Sequence, residues 1–373
     1  MTPALSIWLD LCRVLAALVV YVGHSFLLNV APPEVSATWM RSADDAVTAF
    51  FVISGLVIAH TTRNHHDDPG RYALARLSRV YSVAIPAVLF AWAVDLLGMR
   101  FDSSLYFPDW QYPRAWLHMV FHWLFLGETW FGAVQPFSMA PYWSLGYEVW
   151  YYVLFGVAVF LRGPWRWLAV VLVLAAMGPR IALLLPVWCL GVWLQRWVGG
   201  VRLGKHGARL LMGLAVVAYT VFLTSGWRSA TDQASKQLYA AISSVTPIPF
   251  DPGSTVHVLS DYVMALCFMA FVVGCARCEW DLSGRLASLI RWLAGFTFTF
   301  YLIHYTLLVF ARALGVLQPG WTGYALLLGG VLLCTWLLAQ LGEQRRHLYR
   351  RAMLRLWRAR PWGRPPATPR EEI

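Results

Sequence analysis

The stretch Leu9–Leu28, LDLCRVLAALVVYVGHSFLL, decides the fold class. As an α-helix it is long enough to cross a bilayer core of about 30 Å. An arginine and a histidine interrupt its apolar run. Arg13 and His24 are eleven residues apart. That is close to three helical turns, so both project from nearly one face, roughly 16 Å apart along the axis. Ionisable groups inside a span usually face protein or a wet cavity rather than lipid. Arg13 alone also fits a side chain snorkelling to the headgroups, and His24 alone fits a packing histidine. The pair on one face favours function.

Composition agrees with a membrane protein. Of 373 residues, 59% are hydrophobic and 13% charged, 21 are tryptophan, and the mean hydropathy is +0.55. Soluble domains carry about 25% charged residues. The net charge of +11 sits in loops between apolar runs, which the positive-inside rule explains without nucleic acid. Of the six cysteines most lie in apolar runs, and Cys275 and Cys278 form a lone CxxC. Neither a zinc nor a redox site is expected from them. No cleavable leader is evident, so the first span is expected to be retained.

The pattern predicts an all-α, polytopic membrane bundle of about ten transmembrane helices, near 7–28, 45–61, 80–98, 143–161, 165–178, 181–198, 208–226, 259–276, 292–314 and 322–341. Gly178-Pro179 separates the fifth from the sixth. Arginine-rich loops follow spans two, four, six and eight, which makes both termini cytoplasmic. Residues 1–342 form the membrane domain and 343–373 a basic tail.

Two longer segments fall outside. In 99–142, with Asp102, Asp109, Arg114 and Glu128, the stretch Trp116–Leu126 reads as an interfacial or re-entrant helix. His118 and His122 share its face at i, i+4. No third ligand completes a metal signature, so they read as interfacial histidines and no metal is expected. Residues 227–258, with Pro247, Pro249, Pro252 and Gly253, read as a polar lid, an acceptor-side loop or a passive connector. The tail from Glu343 holds nine arginines against three glutamates. Tyr349, Met353, Leu356 and Trp357 recur at helical spacing opposite Arg351, Arg355 and Arg358, as in a basic helix lying on an anionic leaflet. From Pro361 its proline-rich end is expected to be disordered.

Four further clusters carry chemistry. Arg76 and Arg79, at i, i+3 in ARLSRVY, present two guanidinium groups from the cytoplasmic mouth of span three, a pairing suited to phosphate oxygens. Glu148, in YWSLGYEVWYY, is a costly carboxylate unless paired or protonated. It could orient an imidazole, accept a proton or pin two helices. Ser144 and Tyr152 lie four residues to either side and Tyr151 three beyond. In DDAVTAFFVISG, Asp44 and Asp45 can cap a helix N-terminus and Gly55 permits close packing. In FTFTFYLIHYTLL, His304 falls near mid-membrane.

Taken in order, these landmarks resemble the acyltransferase 3 family of integral membrane acyltransferases, from Leu9 to about Leu308. Arg13 and His24 reproduce its Arg/Lys-x10-His pattern. Phe50-Phe51-Val52-Ile53-Ser54-Gly55 matches FFVISG, and Arg76 and Arg79 match RxxR. Trp143-Ser144-Leu145 with Glu148 matches WSL…E, and Phe300-Tyr301-Leu302-Ile303-His304 matches the late YL-x-His segment. Thr48 stands where relatives often carry aspartate, Ser82 where they carry proline, and Gly146-Tyr147-Glu148-Val149 where they carry an SVEE-like run.

The resemblance implies transfer of an acyl group, most often acetyl, from cytoplasmic acyl-CoA to a sugar hydroxyl of an envelope glycan. It implies a bacterial inner membrane and no bound cofactor. Arg13, Arg76 and Arg79 would hold CoA phosphates. His24 would act as general base, with Glu148 catalytic or orienting beside it. Trp143, Ser144, Tyr151 and His304 would support the site. Membrane lipids, the acyl-CoA donor, the glycan acceptor and a separate extracytoplasmic protein are the expected partners. A succinyl or longer donor fits the same residues. The rival reading is a transporter or flippase of a lipid-linked sugar or other anion, with the intramembrane Arg, His and Glu as its path.

Overall fold

The computed structural model describes residues 2–358, except 36–37, 64–67, 108–112, 131, 133, 199, 246–250, 279, 281 and 316–319. Asp109, Pro247, Pro249 and the segment from Pro361 lie outside the described residues. Among those described, the regular structure is helical. The helices are α1 (Pro3–Leu27), α2 (Thr38–Thr62), α3 (Pro69–Gly98), α4 (Ala115–Trp123), α5 (Tyr142–Phe160), α6 (Pro164–Val198), α7 (Lys205–Thr224), α8 (Trp227–Val245), α9 (Val258–Cys275), α10 (Gly284–Ala294), α11 (Thr297–Ala313), α12 (Trp321–Leu341) and α13 (Arg346–Arg358). Among the described residues seven helices are long and apolar enough to cross a membrane, or eight if the α10–α11 pair, bent by 54°, is one span. The protein is thus an all-α integral membrane protein. The expected fifth and sixth spans are the two limbs of α6, which breaks at Gly178 (φ +80°, ψ 172°). A Cβ there would also press on the Trp130 backbone nitrogen at 3.2 Å.

The chain divides into two compact units. The first holds residues 1–61, 127–134 and 176–297, and the second holds 62–126, 135–175 and 298–373.

In the first unit α1 starts at a Thr2 cap, whose hydroxyl accepts from the Leu5 N–H at 3.2 Å, with Pro3 at its first position. Ile7 packs with Ala287 and Ile290 of α10. Helices α2 and α6 cross at reciprocal glycines. A Cβ on Gly55 would lie 2.1 Å from the Trp188 carbonyl oxygen, and one on Gly191 would lie 2.1 Å from that of Val52. The close packing expected at Gly55 is therefore present. Asp44 and Asp45 do not cap α2, because the helix begins at Thr38 and places them in its second turn. The polar segment after α7 is not a loop at its start. Helix α8 packs on α9 and α7 and buries Arg228, Asp232, Ser235 and Tyr239 on one face.

In the second unit α3 begins earlier than expected. Asp68 accepts from the Arg71 N–H at 2.7 Å and Pro69 opens the helix. Arg76 and Arg79 therefore stand two to three turns inside α3. Helix α4 is clamped at its C-terminal end, where helical carbonyls lack intrahelical donors. Tyr142 donates to the His122 carbonyl (2.9 Å), Tyr81 to that of Trp123 (2.9 Å) and the Trp150 indole to that of Phe125 (3.0 Å). His118 and His122 are buried within the protein. Their rings meet edge to face at 4.4 Å, with Phe137 and Tyr142 around them.

Candidate active site

The second unit joins two motifs that the sequence shows separately. Tyr72 and Arg76 are one turn apart on α3, and Glu148 and Tyr152 are one turn apart on α5. The Tyr72 hydroxyl donates to the Tyr152 carbonyl at 2.8 Å. Gly156 makes room for the Tyr72 ring, whose edge would stand 3.0 Å from a Cβ there. The Arg76 guanidinium lies 5.8 Å from the centre of the Tyr152 ring, in cation–π geometry. The Tyr152 hydroxyl donates to Glu148. Arg76, Tyr152 and Glu148 thus form one chain of contacts. Arg79, three residues on, lies within electrostatic reach of the same tyrosine. Beside this chain runs an open, largely apolar groove of about 390 Å³, with Tyr72, Arg76, Leu77, Val149, Tyr152 and Val153 in its walls.

Helix α11 supplies the rest of this unit's site residues. His304 is fully buried, with Nδ1 3.1 Å from the Phe300 carbonyl and its ring stacked on Phe300 at 5.7 Å. Tyr301 shares a 2.8 Å hydrogen bond with Ser144. Trp143 and Tyr151 pack against Tyr147 on either side, at 5.0 and 6.4 Å. A carboxylate absent from the sequence reading, Asp95 of α3, accepts from the Ser138 N–H (2.7 Å) and hydroxyl (2.5 Å). The Ser138 hydroxyl also reaches Thr306 of α11 at 3.0 Å.

The first unit contains Arg13 and His24 on the single helix α1, as their spacing requires. Arg13 is half-buried and pairs with Asp10 at 3.0 Å. His24 is half-buried too. Its neighbour Gly23 lets α2 approach closely, for a Cβ there would lie 2.6 Å from the Trp39 carbonyl oxygen and 2.8 Å from the Ala43 methyl.

Two polar networks stiffen this unit. Asp45 Oδ2 accepts from Arg228 at 2.6 Å and from the Tyr219 hydroxyl at 2.8 Å. Asp232 accepts from Ser260 at 2.6 Å, with Arg41 at 3.7 Å and His257 at 3.0 Å. Thr48 donates to Asp261 of α9 at 3.0 Å. In the second network Arg180 reaches Glu128 (3.3 Å), the Gly132 carbonyl (2.8 Å) and the Asp251 carboxylate (3.2 Å). Burial pushes the Glu128 carboxyl up to about 7, and the nearby Arg180 charge only partly opposes this.

In the sequence Tyr152 stands out only as a neighbour of Glu148, and Tyr72 lies outside every motif. The i, i+4 spacing of Tyr72 to Arg76 was the available signal. Asp261 and Asp232 had no such signal, because their partners are distant in sequence. Among the described residues no group of three or more His, Cys, Asp or Glu side chains is placed to hold a metal.

A family model described as an acyltransferase domain matches residues 6–340. No curated protein and no solved structure matches the chain. The match runs through α1 to α12 and takes in every motif residue described above. The chain belongs to the acyltransferase 3 family and is a membrane acyltransferase.

Proposed function

We propose that the protein transfers an acyl group, acetyl by preference, from cytoplasmic acyl-CoA to a hydroxyl of an envelope or extracellular carbohydrate. The setting is a bacterial inner membrane with both termini on the cytoplasmic side. The observation that carries this reading is the α3–α5 face. Guanidinium groups suit the donor's phosphates, and the adjoining apolar groove suits its less polar arm. Family membership favours transfer over transport.

In this reading Arg76 and Arg79, with Arg13, hold the phosphates. His24 and Glu148 are the groups proposed for proton transfer. A neutral His24 takes the proton of the acceptor hydroxyl as its oxygen attacks the thioester carbonyl. A C–O bond forms, the C–S bond breaks, and the sulfur of CoA leaves and takes up a proton. Trp143, Ser144, Tyr151 and His304 support the fold around α5 and α11.

The test is release of free CoA from acetyl-CoA by the purified protein in liposomes, with and without an envelope-glycan extract. Wild type should release CoA faster with extract. His24→Ala should abolish release while acetyl-CoA still binds. Normal turnover by His24→Ala would remove the histidine from the mechanism. Absence of acetyl-CoA binding and of turnover would overturn the donor assignment.

A further inference from the structure

The family match ends at residue 340, before Arg346 and Arg350 of α13. The sequence pattern alone makes this basic tail an anchor, but its seating within the second unit points elsewhere. Pro86 has no N–H to give to the Ser82 carbonyl, which opens a notch in α3. Gly342 lies in that notch, where a Cβ would stand 2.2 Å from the Ser82 carbonyl oxygen. The Glu343 carboxylate accepts from the Thr299 N–H at 3.0 Å and from its hydroxyl at 2.8 Å. Helix α13 then packs on α3. Its half-buried stripe is Tyr349, Arg350, Met353, Leu354 and Trp357. Leu356, expected on that stripe, is 71% exposed. A helix held only by lipid would not turn an arginine into its buried stripe.

This seating gathers like charges. Arg346 lies within electrostatic reach of Arg79, Arg76 and Arg350, and of the Glu343 carboxylate. Among the described residues no carboxylate forms an ion pair with Arg79, Arg346 or Arg350. Glu343 is the carboxylate in reach of Arg79 and Arg346, so the four guanidinium groups outnumber it, and a polyanionic ligand would offset the remaining repulsion.

We propose that Arg346 and Arg350 complete the donor's phosphate site, binding the 3′-phosphate of CoA while Arg76 and Arg79 bind its diphosphate. The proposal rests on the acyl-CoA reading above. The assignment follows the order of groups along CoA, in which the thioester arm leads, the diphosphate follows and the adenosine 3′-phosphate trails. Arg76 and Arg79 are half-buried on a spanning helix, whereas Arg346 is exposed, so Arg346 meets the trailing end, with the half-buried Arg350 one turn further along the same helix. A phosphomonoester carries about −1.5 to −2 charge, which two guanidinium groups match.

The experiment compares affinities for CoA and 3′-dephospho-CoA, using the full chain in phosphatidylcholine nanodiscs. Wild type should prefer CoA by about tenfold or more. Arg346→Gln with Arg350→Gln should erase that preference and leave dephospho-CoA affinity unchanged. Arg355→Gln with Arg358→Gln, exposed on the same helix, should keep it. If the glutamine pair unfolds, the Lys pair replaces it and should show a partial loss, because charge is kept and the planar fork is not. A preference that persists in these variants overturns the proposal and leaves the acyl-CoA reading intact. Absence of binding of either compound by wild type overturns both. Co-purification of phosphatidylglycerol with wild type but not with the Arg346→Gln, Arg350→Gln pair, with the CoA preference unchanged, would make a lipid headgroup phosphate the ligand and overturn the proposal.

Discussion

The hydroxyl of Tyr152 donates to the carboxylate of Glu148, one turn earlier on α5, while the Tyr152 ring lies against the guanidinium of Arg76. One side chain thus couples the carboxylate of the WSL…E motif to the first arginine of RxxR. Its ring and its hydroxyl do separable work. Tyr152→Phe keeps the ring face for Arg76 and removes the donor to Glu148. Tyr152→Ala removes both. A cation–π contact contributes about 0.5–2 kcal/mol. Tyr152→Ala should therefore weaken donor binding about two- to thirtyfold, and Tyr152→Phe by less than about twofold. Equal losses in the two variants, measured as donor Kd, would show that the ring is not what positions Arg76.

Gly23 precedes His24 at a close approach of α1 to α2. A methyl group there meets backbone, which cannot rotate away, so Gly23→Ala must spread the helices. Overpacking of this kind costs about 1–3 kcal/mol. The side chain most directly displaced is His24. Gly23→Ala should therefore lower turnover more than it lowers donor affinity. Gly213 of α7 is the control, since a Cβ there meets nothing within 4 Å. Gly213→Ala should leave turnover and stability near wild type or slightly improved.

How much of this could be seen in the chain itself follows from what each element buries. The spans were legible because lipid selects apolar residues without regard to topology, and Arg13, His24, Arg76, Arg79, Glu148 and His304 were legible as polar exceptions within them. The start of α3 is signalled by Asp68-Pro69, but the arginines that follow lower the hydropathy and mask it. Helix α8 was illegible for a different reason. The face it buries is Arg228, Asp232, Ser235 and Tyr239, so a pattern that equates burial with apolarity reads it as a connector. The partners of that face, Asp45, Arg41 and Ser260, lie on other helices, and no local spacing announces them.

The histidine pair of α4 gives a pH dependence with a definite sign. Nine residues do not span a membrane. Burial lowers His118 to about 4 and, with the neighbouring His118 adding to it, His122 to about 3. Unfolded histidine titrates near 6.5. Between those values the unfolded chain binds more protons than the folded one, so stability rises with pH across the window. It is fully present above about 6.5 and lost as pH falls towards 4 and 3. The melting temperature in detergent should drop over this range. His122→Phe, which keeps an aromatic ring beside Phe121 and Tyr142, should flatten the acid limb. An acid limb as steep as wild type would place its origin in other groups.

Asp45 and Arg228 make the most deeply buried ion pair of the first unit, at 1% and 3% exposure. Removing one partner of such a pair strands the other charge, at a cost of about 3–5 kcal/mol. Asp45→Ala should therefore destabilise strongly. Asp45→Asn keeps an acceptor for the Tyr219 hydroxyl and should cost less. Arg228→Met in the Asp45→Asn background removes both charges and should recover part of the loss, because no charge then remains buried without its partner. Tyr219→Phe removes one neutral hydrogen bond and should cost about 1 kcal/mol. The ordering of these four variants by thermal unfolding is the decisive readout. If Asp45→Ala is as mild as Tyr219→Phe, water reaches the pair and α8 is held by something other than this contact.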